Sequence, residues 1–128
     1  MYMSFLHYLP IAFLAAGIAS AATVEGVIVD KTCSPKMELR IVSPGNSMVG
    51  GMVAAEAHTK ECLLMAECQK SGYGLYTQDN KFYAFDAEGS RKALALIKAS
   101  AKLVDFEVEI TGEVSGDTLK VTAMKLKP

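Results

Sequence analysis

Two segments of alternating residues near the C-terminus constrain the fold more than any other feature of the sequence. Residues 106–114 (FEVEITGEV) begin with a strict alternation of apolar and acidic side chains, and residues 119–126 (LKVTAMKL) alternate again. A period of two is typical of strands with one buried face. Ser115-Gly116-Asp117 between them is a turn sequence. The two segments therefore predict two consecutive strands.

Three further strands and a helix are predicted upstream of this pair. Residues 23–31 (TVEGVIVDK) are rich in β-branched residues, and residues 74–77 and 81–86 flank the turn Gln78-Asp79-Asn80. Ser90 can cap the helix. The apolar stripe of that helix is Leu94, Ile97, Ala101 and Val104.

The order of these elements predicts an OB-like fold. It reads strand, a long segment containing a helix, strand, strand, helix, strand, strand. Without the long segment, this is the order of the five-stranded OB barrel, whose helix lies between strands 3 and 4. We therefore expect a mainly β domain with helices at residues 23–128, with residues 32–72 as a helical insertion between strands 1 and 2. That loop is one of the two with which OB folds commonly bind ligands.

The N-terminal 22 residues differ in composition from the rest of the chain. They carry no Asp, Glu, Lys or Arg, whereas charges recur from Glu25 onward. Apolar residues 9–18 precede Ala19-Ser20-Ala21-Ala22, the small residues that a signal peptidase needs. We interpret residues 1–22 as a signal peptide of a periplasmic or secreted protein. Because Lys and Arg are missing before the apolar run, an uncleaved anchor helix is the alternative, and it would be the chain's only membrane contact.

Charge and length exclude some classes of function. The 128-residue chain has 13 Lys and Arg against 14 Asp and Glu, a formal net charge of -1. There is no positive surplus to neutralise a phosphate backbone, so nucleic acid is not an expected partner. The length suits one domain. Because His58 is the only histidine after the leader, no Ser-His-Asp arrangement can be assigned, and we do not expect an enzyme.

Cysteine and histidine residues are concentrated before the second predicted strand. Cys33 ends the first predicted strand, and His58, Cys62 and Cys68 follow in the predicted insertion. Thiolate and imidazole are the ligands that zinc and copper prefer. The sequence thus predicts one Cys3His metal site made of Cys33, His58, Cys62 and Cys68. A zinc ion closed by four protein ligands would be structural.

The spacing of these ligands depends on the predicted helix at residues 52–65. His58 and Cys62 are four residues apart and would share one face of that helix. Cys68 would lie roughly 120° away if the helix continued. We therefore expect the helix to end near Ala66 or Glu67 and the segment to stop at Gly72, which can take a positive φ.

Other interpretations of the cysteines remain open. In an oxidising compartment three cysteines cannot all pair within one chain. Two of them can form a disulfide with the third buried, which would give a binding module without metal for a small molecule, a glycan or a cell-envelope component. A thiol-disulfide oxidoreductase is less favoured because there is no Cys-x-x-Cys motif. Copper is the alternative metal, because thioethers suit Cu(I) and four methionines lie between the outer cysteines: Met37, Met48, Met52 and Met65.

Aromatic residues are concentrated on the second and third predicted strands. A row of aromatic rings on an OB fold can stack on bases or sugars. Neighbouring residues such as Phe82 and Tyr83 point to opposite faces of a strand, so about half of the rings are expected in the core. The residues are Tyr73, Tyr76, Phe82, Tyr83 and Phe85.

Three stretches of the chain resemble a group of small exported bacterial OB-like proteins. They are VEGVIVDKTC, HTKECLLMAECQKSGYGL and VEITGEVSGDTLKVTAM. In that group a cysteine of the first strand precedes a helical segment that bears further His and Cys residues. The resemblance covers nearly all of the chain after the leader. It implies an OB-like fold and no particular activity.

Overall fold

The computed structural model describes residues 21–42, 45 and 47–128. The predicted signal peptide or anchor at residues 1–22 lies almost entirely outside them. The described part contains seven strands, four α-helices and a short 3-10 helix at Ser34–Met37. The strands are β1 (Ala22–Asp30), β2 (Arg40–Val42), β3 (Ser47–Val49), β4 (Tyr73–Tyr76), β5 (Phe82–Phe85), β6 (Glu107–Ser115) and β7 (Thr118–Leu126). The helices are α1 (Gly51–Ala57), α2 (Lys60–Leu63), α3 (Ala66–Ser71) and α4 (Ala87–Ala99).

Five of the strands form one sheet in the order β1-β4-β5-β7-β6, and because β1 also pairs with β6 the sheet closes on itself. All neighbours are antiparallel except β5 and β7. The predicted combination of helices with a five-stranded sheet is confirmed. Helix α4 follows β5 along the chain and packs against β7 and β4.

The alternation at the C-terminus produces the buried face that it predicts. In β6, Val108 and Ile110 are fully buried, whereas Glu107 and Glu109 are half-buried. These two apolar side chains join a core built from β1, β4, β5, β7, α2 and α4. Burial of such side chains stabilises the fold by about 1.5–3 kcal/mol each. Its largest members are Tyr73, Phe85, Phe106, Ile28, Leu63, Leu75, Ile97, Ile110 and Leu119.

Helix α4 begins earlier and ends earlier than the sequence predicts. Its N-cap is Asp86, whose Oδ1 accepts a hydrogen bond from the Gly89 N–H at 3.0 Å. The predicted cap, Ser90, lies inside the helix, where its Oγ accepts from the Tyr73 N–H at 3.0 Å. The prediction was wrong because an aspartate directly after β5 caps the helix four residues sooner. The last two members of the predicted stripe, Ala101 and Val104, lie beyond its end at Ala99.

The predicted helix at residues 52–65 is not continuous. The chain leaves the helix at His58, which has ψ 126, and starts again after Thr59, which has ψ 154. The Thr59 Oγ1 accepts from the Cys62 N–H at 3.1 Å and so caps α2. A threonine that bonds to the backbone in this way competes with helix continuation. The prediction that His58 and Cys62 share a helical face is therefore wrong.

The remaining parts of the segment between β1 and β4 partly follow the predictions. The expected extended piece at residues 37–42 contains β2, which pairs with β3 in a small hairpin that the sequence did not predict. Residues 43, 44 and 46 of the expected loop lie outside the described residues. The predicted stop at Gly72 is confirmed, since it follows α3 with φ 82. Across residues 21–42, 45 and 47–128, no helix is long and apolar enough to cross a membrane.

Candidate metal centre

The candidate site is built around Asp30, the last residue of β1, whose side chain is fully buried. Because strand residues alternate between faces, Asp30 lies on the same face as Ile28, a member of the main core. Its neighbours Val27 and Val29 face a second, smaller apolar cluster. A buried carboxylate is costly unless other groups bond to it. The partners of Asp30 therefore define the site.

His58 reaches Asp30 from the end of α1. The chain is extended at this residue, and the ring Nε2 lies 2.7 Å from the Asp30 Oδ1. The His58 side chain is only 9% exposed. The same break in the helix that separates His58 from Cys62 thus directs the imidazole to the end of β1.

Cys33 reaches Asp30 from the turn that follows β1. Its backbone N–H donates to the Asp30 Oδ2 at 2.9 Å. This bond from residue i+3 closes the turn and keeps Cys33 beside the carboxylate. One ligand atom each of Asp30, Cys33 and His58 lie within 4.8 Å of one another. Tetrahedral zinc bonds of about 2.0–2.3 Å place ligand atoms roughly 3.3–3.7 Å apart. To hold an ion, the His58 Nε2 and Asp30 Oδ1, which are 2.7 Å apart, would have to separate by roughly 0.6–1.0 Å and exchange their hydrogen bond for bonds to the metal.

The electrostatics of the group favour a cation. Burial acts to raise the pKa of Asp30, but hydrogen bonds from the His58 ring, the Cys33 backbone and the Cys68 side chain outweigh it and lower the pKa to about 2. Asp30 is therefore a buried anion at neutral pH. Burial and this carboxylate together raise the pKa of the Cys33 thiol. For the same reasons the pKa of Cys68 rises to about 12.

The structure brings together only part of the predicted ligand set. Cys33 and His58 are in the group. Cys68 of α3 is buried near enough to Asp30 for the carboxylate to raise its pKa, but it does not belong to the three mutually close ligands. Cys62 lies half-buried on α2, outside the group. Asp30 was not among the predicted ligands. The available signal was a carboxylate at the end of an apolar strand, three residues before a cysteine.

The three cysteines are free throughout the part of the chain that the structure describes, and no disulfide is formed. Cys33 and Cys62 are half-buried, and Cys68 is 2% exposed. The structure therefore gives no support to the alternative in which two of these cysteines form a disulfide.

Fold and site together define a small domain of helices and a closed five-stranded sheet, with a buried Asp-Cys-His group that can hold a metal ion. No protein-family model, no curated protein and no solved structure matches the chain.

Proposed function

We propose that the protein is an exported OB-like domain that binds one metal ion through Asp30, Cys33 and His58. The observation that carries the proposal is the approach of an oxygen, a sulfur and a nitrogen ligand within 4.8 Å of one another. The buried negative charge of Asp30 adds an attraction that an apolar environment does not screen.

Zinc is the metal that this ligand set favours. Zn²⁺ binds Cys, His and carboxylate ligands in tetrahedral sites. Cys68, buried near Asp30, supplies a fourth ligand if its thiol moves to the ion, which would give a closed, structural site. Cu⁺ is the second candidate, because Met52 and Cys33 pack on the same small apolar cluster and thioethers are soft ligands.

The role of the ion would be to fix the segment between β1 and β4. Asp30 and His58 are 28 positions apart, and Cys33 lies in the turn after β1. One ion bound by all three links the end of a sheet strand to the end of α1. Binding energy at such a site is largely folding energy. The proposed function is thus a metal-stabilised binding domain and not a catalyst.

Two observations support the wider assignment. The closed strand order β1-β4-β5-β7-β6, with α4 between β5 and β6, follows the order expected of an OB-like fold. The charge-free residues 1–22 support export. Export would be tested by fractionating cells that express the full chain.

Metal binding is tested by titrating the full chain with Zn²⁺ and with Cu⁺ in competition with a chelator. Cys33→Ser and His58→Ala should each lower the metal affinity by about 10- to 100-fold or more. Substitutions of residues that only hydrogen-bond to metal ligands already have effects of this size. Cys62→Ser is the matched control, a half-buried cysteine outside the group, and should bind like the parent protein. Equal affinity of the parent and Cys33→Ser for both ions would overturn the proposal. If Cys62→Ser lowers the metal affinity as much as Cys33→Ser does, the ligands are the predicted Cys3His set and not the three-residue group.

A further inference from the structure

A cleft of about 470 Å³ lies toward the other end of β1 from the metal centre. It is formed by the first residues of β1, the turn between β4 and β5, and the end of β6. Glu25 in the cleft is five residues before Asp30, which corresponds to roughly 16 Å along an extended strand. The cleft is therefore separate from the proposed metal site, and a ligand can occupy it whether or not a metal ion is bound.

Apolar surface is left uncovered inside this cleft. Tyr83 of β5 is half-buried and packs against the main core from the cleft side. Val114 at the end of β6 is 43% exposed, and Val24 of β1 also lines the cleft. The lining therefore includes one aromatic ring and two aliphatic side chains. Ligand sites commonly combine such an apolar lining with a few polar groups in a volume of roughly 300–1,000 Å³.

The polar groups around this surface are hydrogen-bond acceptors and neutral donors. Thr23 and Gln78 are neutral, and each of the two carboxylates is already beside a lysine. The Glu25 Oε2 is 3.1 Å from the Lys127 Nζ, and the Asp79 Oδ2 is 3.8 Å from the Lys81 Nζ. Among the described residues that line the cleft, none is Lys or Arg. A phosphate or other anion would thus find carboxylates in place of cations.

Each carboxylate retains acceptor capacity, because an ionised carboxylate has about four lone-pair positions. Glu25 uses one of them for Lys127, and Asp79 uses one for the Thr77 hydroxyl. The adjacent lysines offset these charges only in part, because Lys127 is shared with Glu107 at 3.2 Å and the Lys81 Nζ is 3.8 Å from Asp79. A ligand that suits these groups has an apolar face for the Tyr83 ring and several hydroxyl donors at its edges. A neutral sugar has both features.

We propose that this cleft binds a neutral saccharide, with a sugar ring against Tyr83 and its hydroxyls donating to Glu25, Gln78 and Asp79. The site would give the exported domain a glycan partner. The metal centre then stabilises the fold, and the cleft at the other end of β1 performs the recognition.

The test is a titration of the ¹⁵N-labelled full chain with neutral trisaccharides, followed by NMR. The probes are the trimer of N-acetylglucosamine, maltotriose and xylotriose. Spermidine and a short oligothymidylate serve as the cationic and anionic comparisons. We expect at least one trisaccharide to shift the amide signals of residues 23–25, 77–83 and 114, and we expect neither charged probe to do so. Binding of spermidine alone at these residues, or no shift there with any trisaccharide at millimolar concentration, would overturn the proposal.

The saccharide affinities of variants distinguish specific binding in the cleft from weak contact with the surface. Gln78→Ala changes an exposed turn residue and should weaken binding by roughly 3- to 10-fold through loss of one hydrogen bond. Tyr83→Phe keeps the ring and should retain most of the affinity, whereas Tyr83→Leu should lose roughly tenfold. Val53→Ala, in a different groove lined by α1, is the matched control. Affinity that is unchanged in both Gln78→Ala and Tyr83→Leu would overturn the site.

Discussion

The imidazole Nε2 of His58 lies 2.7 Å from the Oδ1 of Asp30, which joins the end of α1 to the end of β1 across 28 positions of the chain. Asp30 has no solvent-exposed surface, and its second oxygen accepts from the Cys33 N–H. The carboxylate therefore depends on protein groups, not on water, for its hydrogen bonds. This pair is expected to stabilise the metal-free protein as well as to bind an ion.

His58→Ala should lower the free energy of unfolding of the metal-free protein by about 1–3 kcal/mol, because it removes a hydrogen bond from a buried carboxylate. The measurement is urea denaturation at neutral pH with a chelator present. Glu61→Ala, at an exposed position of the neighbouring α2, is the control and should stay within about 0.5 kcal/mol of the parent. A loss in His58→Ala no larger than in this control would contradict the structural role of the pair.

All three cysteines should titrate as free thiols when the purified protein is unfolded without reductant and without metal. In the folded protein, Cys68 should react most slowly with dithionitrobenzoate, because it is 2% exposed and its pKa is raised to about 12. Cys68→Ser should remove the slow phase and leave the faster ones. A count of one thiol in the unfolded protein would instead support the disulfide-stabilised binding module.

Tyr73 should make the fold sensitive to alkaline pH. Its hydroxyl donates to the Leu63 carbonyl at 2.6 Å, and burial, with Asp30 and Cys68 nearby, raises its pKa to about 12 from the ordinary 10.0. The folded state thus retains the proton more strongly than the unfolded state. The contribution of Tyr73 is fully present below pH 10 and is lost as the pH rises toward 12, by about 1 kcal/mol at pH 11.

Urea denaturation of the parent and of Tyr73→Phe at pH 8 and pH 11 measures this effect. The parent should lose more stability between the two values than Tyr73→Phe does. Tyr83→Phe, on the half-buried cleft ring, controls for the loss of a hydroxyl elsewhere. The same loss in Tyr73→Phe and the parent would show that Tyr73 does not titrate in this range.

The sheet could be predicted because its signals are periodic. The alternation before and after the turn at residues 115–117 fixes which side chains face inward, and Val108, Ile110, Leu119 and Val121 are all buried. Such a pattern is set by the pleat of the strand itself and needs no knowledge of distant contacts. The helix-forming composition of residues 52–65 likewise identified a helical region, but it did not show that this region is divided into α1 and α2.

The metal centre could be predicted only in part, because its geometry depends on two local events. The cap formed by Thr59 interrupts the helix and redirects His58. Asp30 becomes a partner only because it ends β1 on the inner face, beside residues from the turn and from α1. His58 and Cys33 were predicted as ligands from their residue types alone, and both belong to the group around Asp30. The helical spacing of His58 and Cys62 failed because it assumed an unbroken helix.

The N-cap residue Asp86 links α4 to the sheet through hydrogen bonds of one side-chain oxygen. The Asp86 Oδ1 accepts from the Gly89 N–H at 3.0 Å and from the Val121 N–H of β7 at 3.2 Å. Asp86→Ala should therefore lower the free energy of unfolding by about 1–2 kcal/mol, and Asp86→Asn, which keeps an acceptor, by less. Ser90→Ala removes only the bond from the Tyr73 N–H and should cost roughly 1 kcal/mol. Urea denaturation of the three variants ranks them. A larger loss in Ser90→Ala than in Asp86→Ala would contradict the prediction that Asp86 contributes more stability than the Ser90–Tyr73 hydrogen bond.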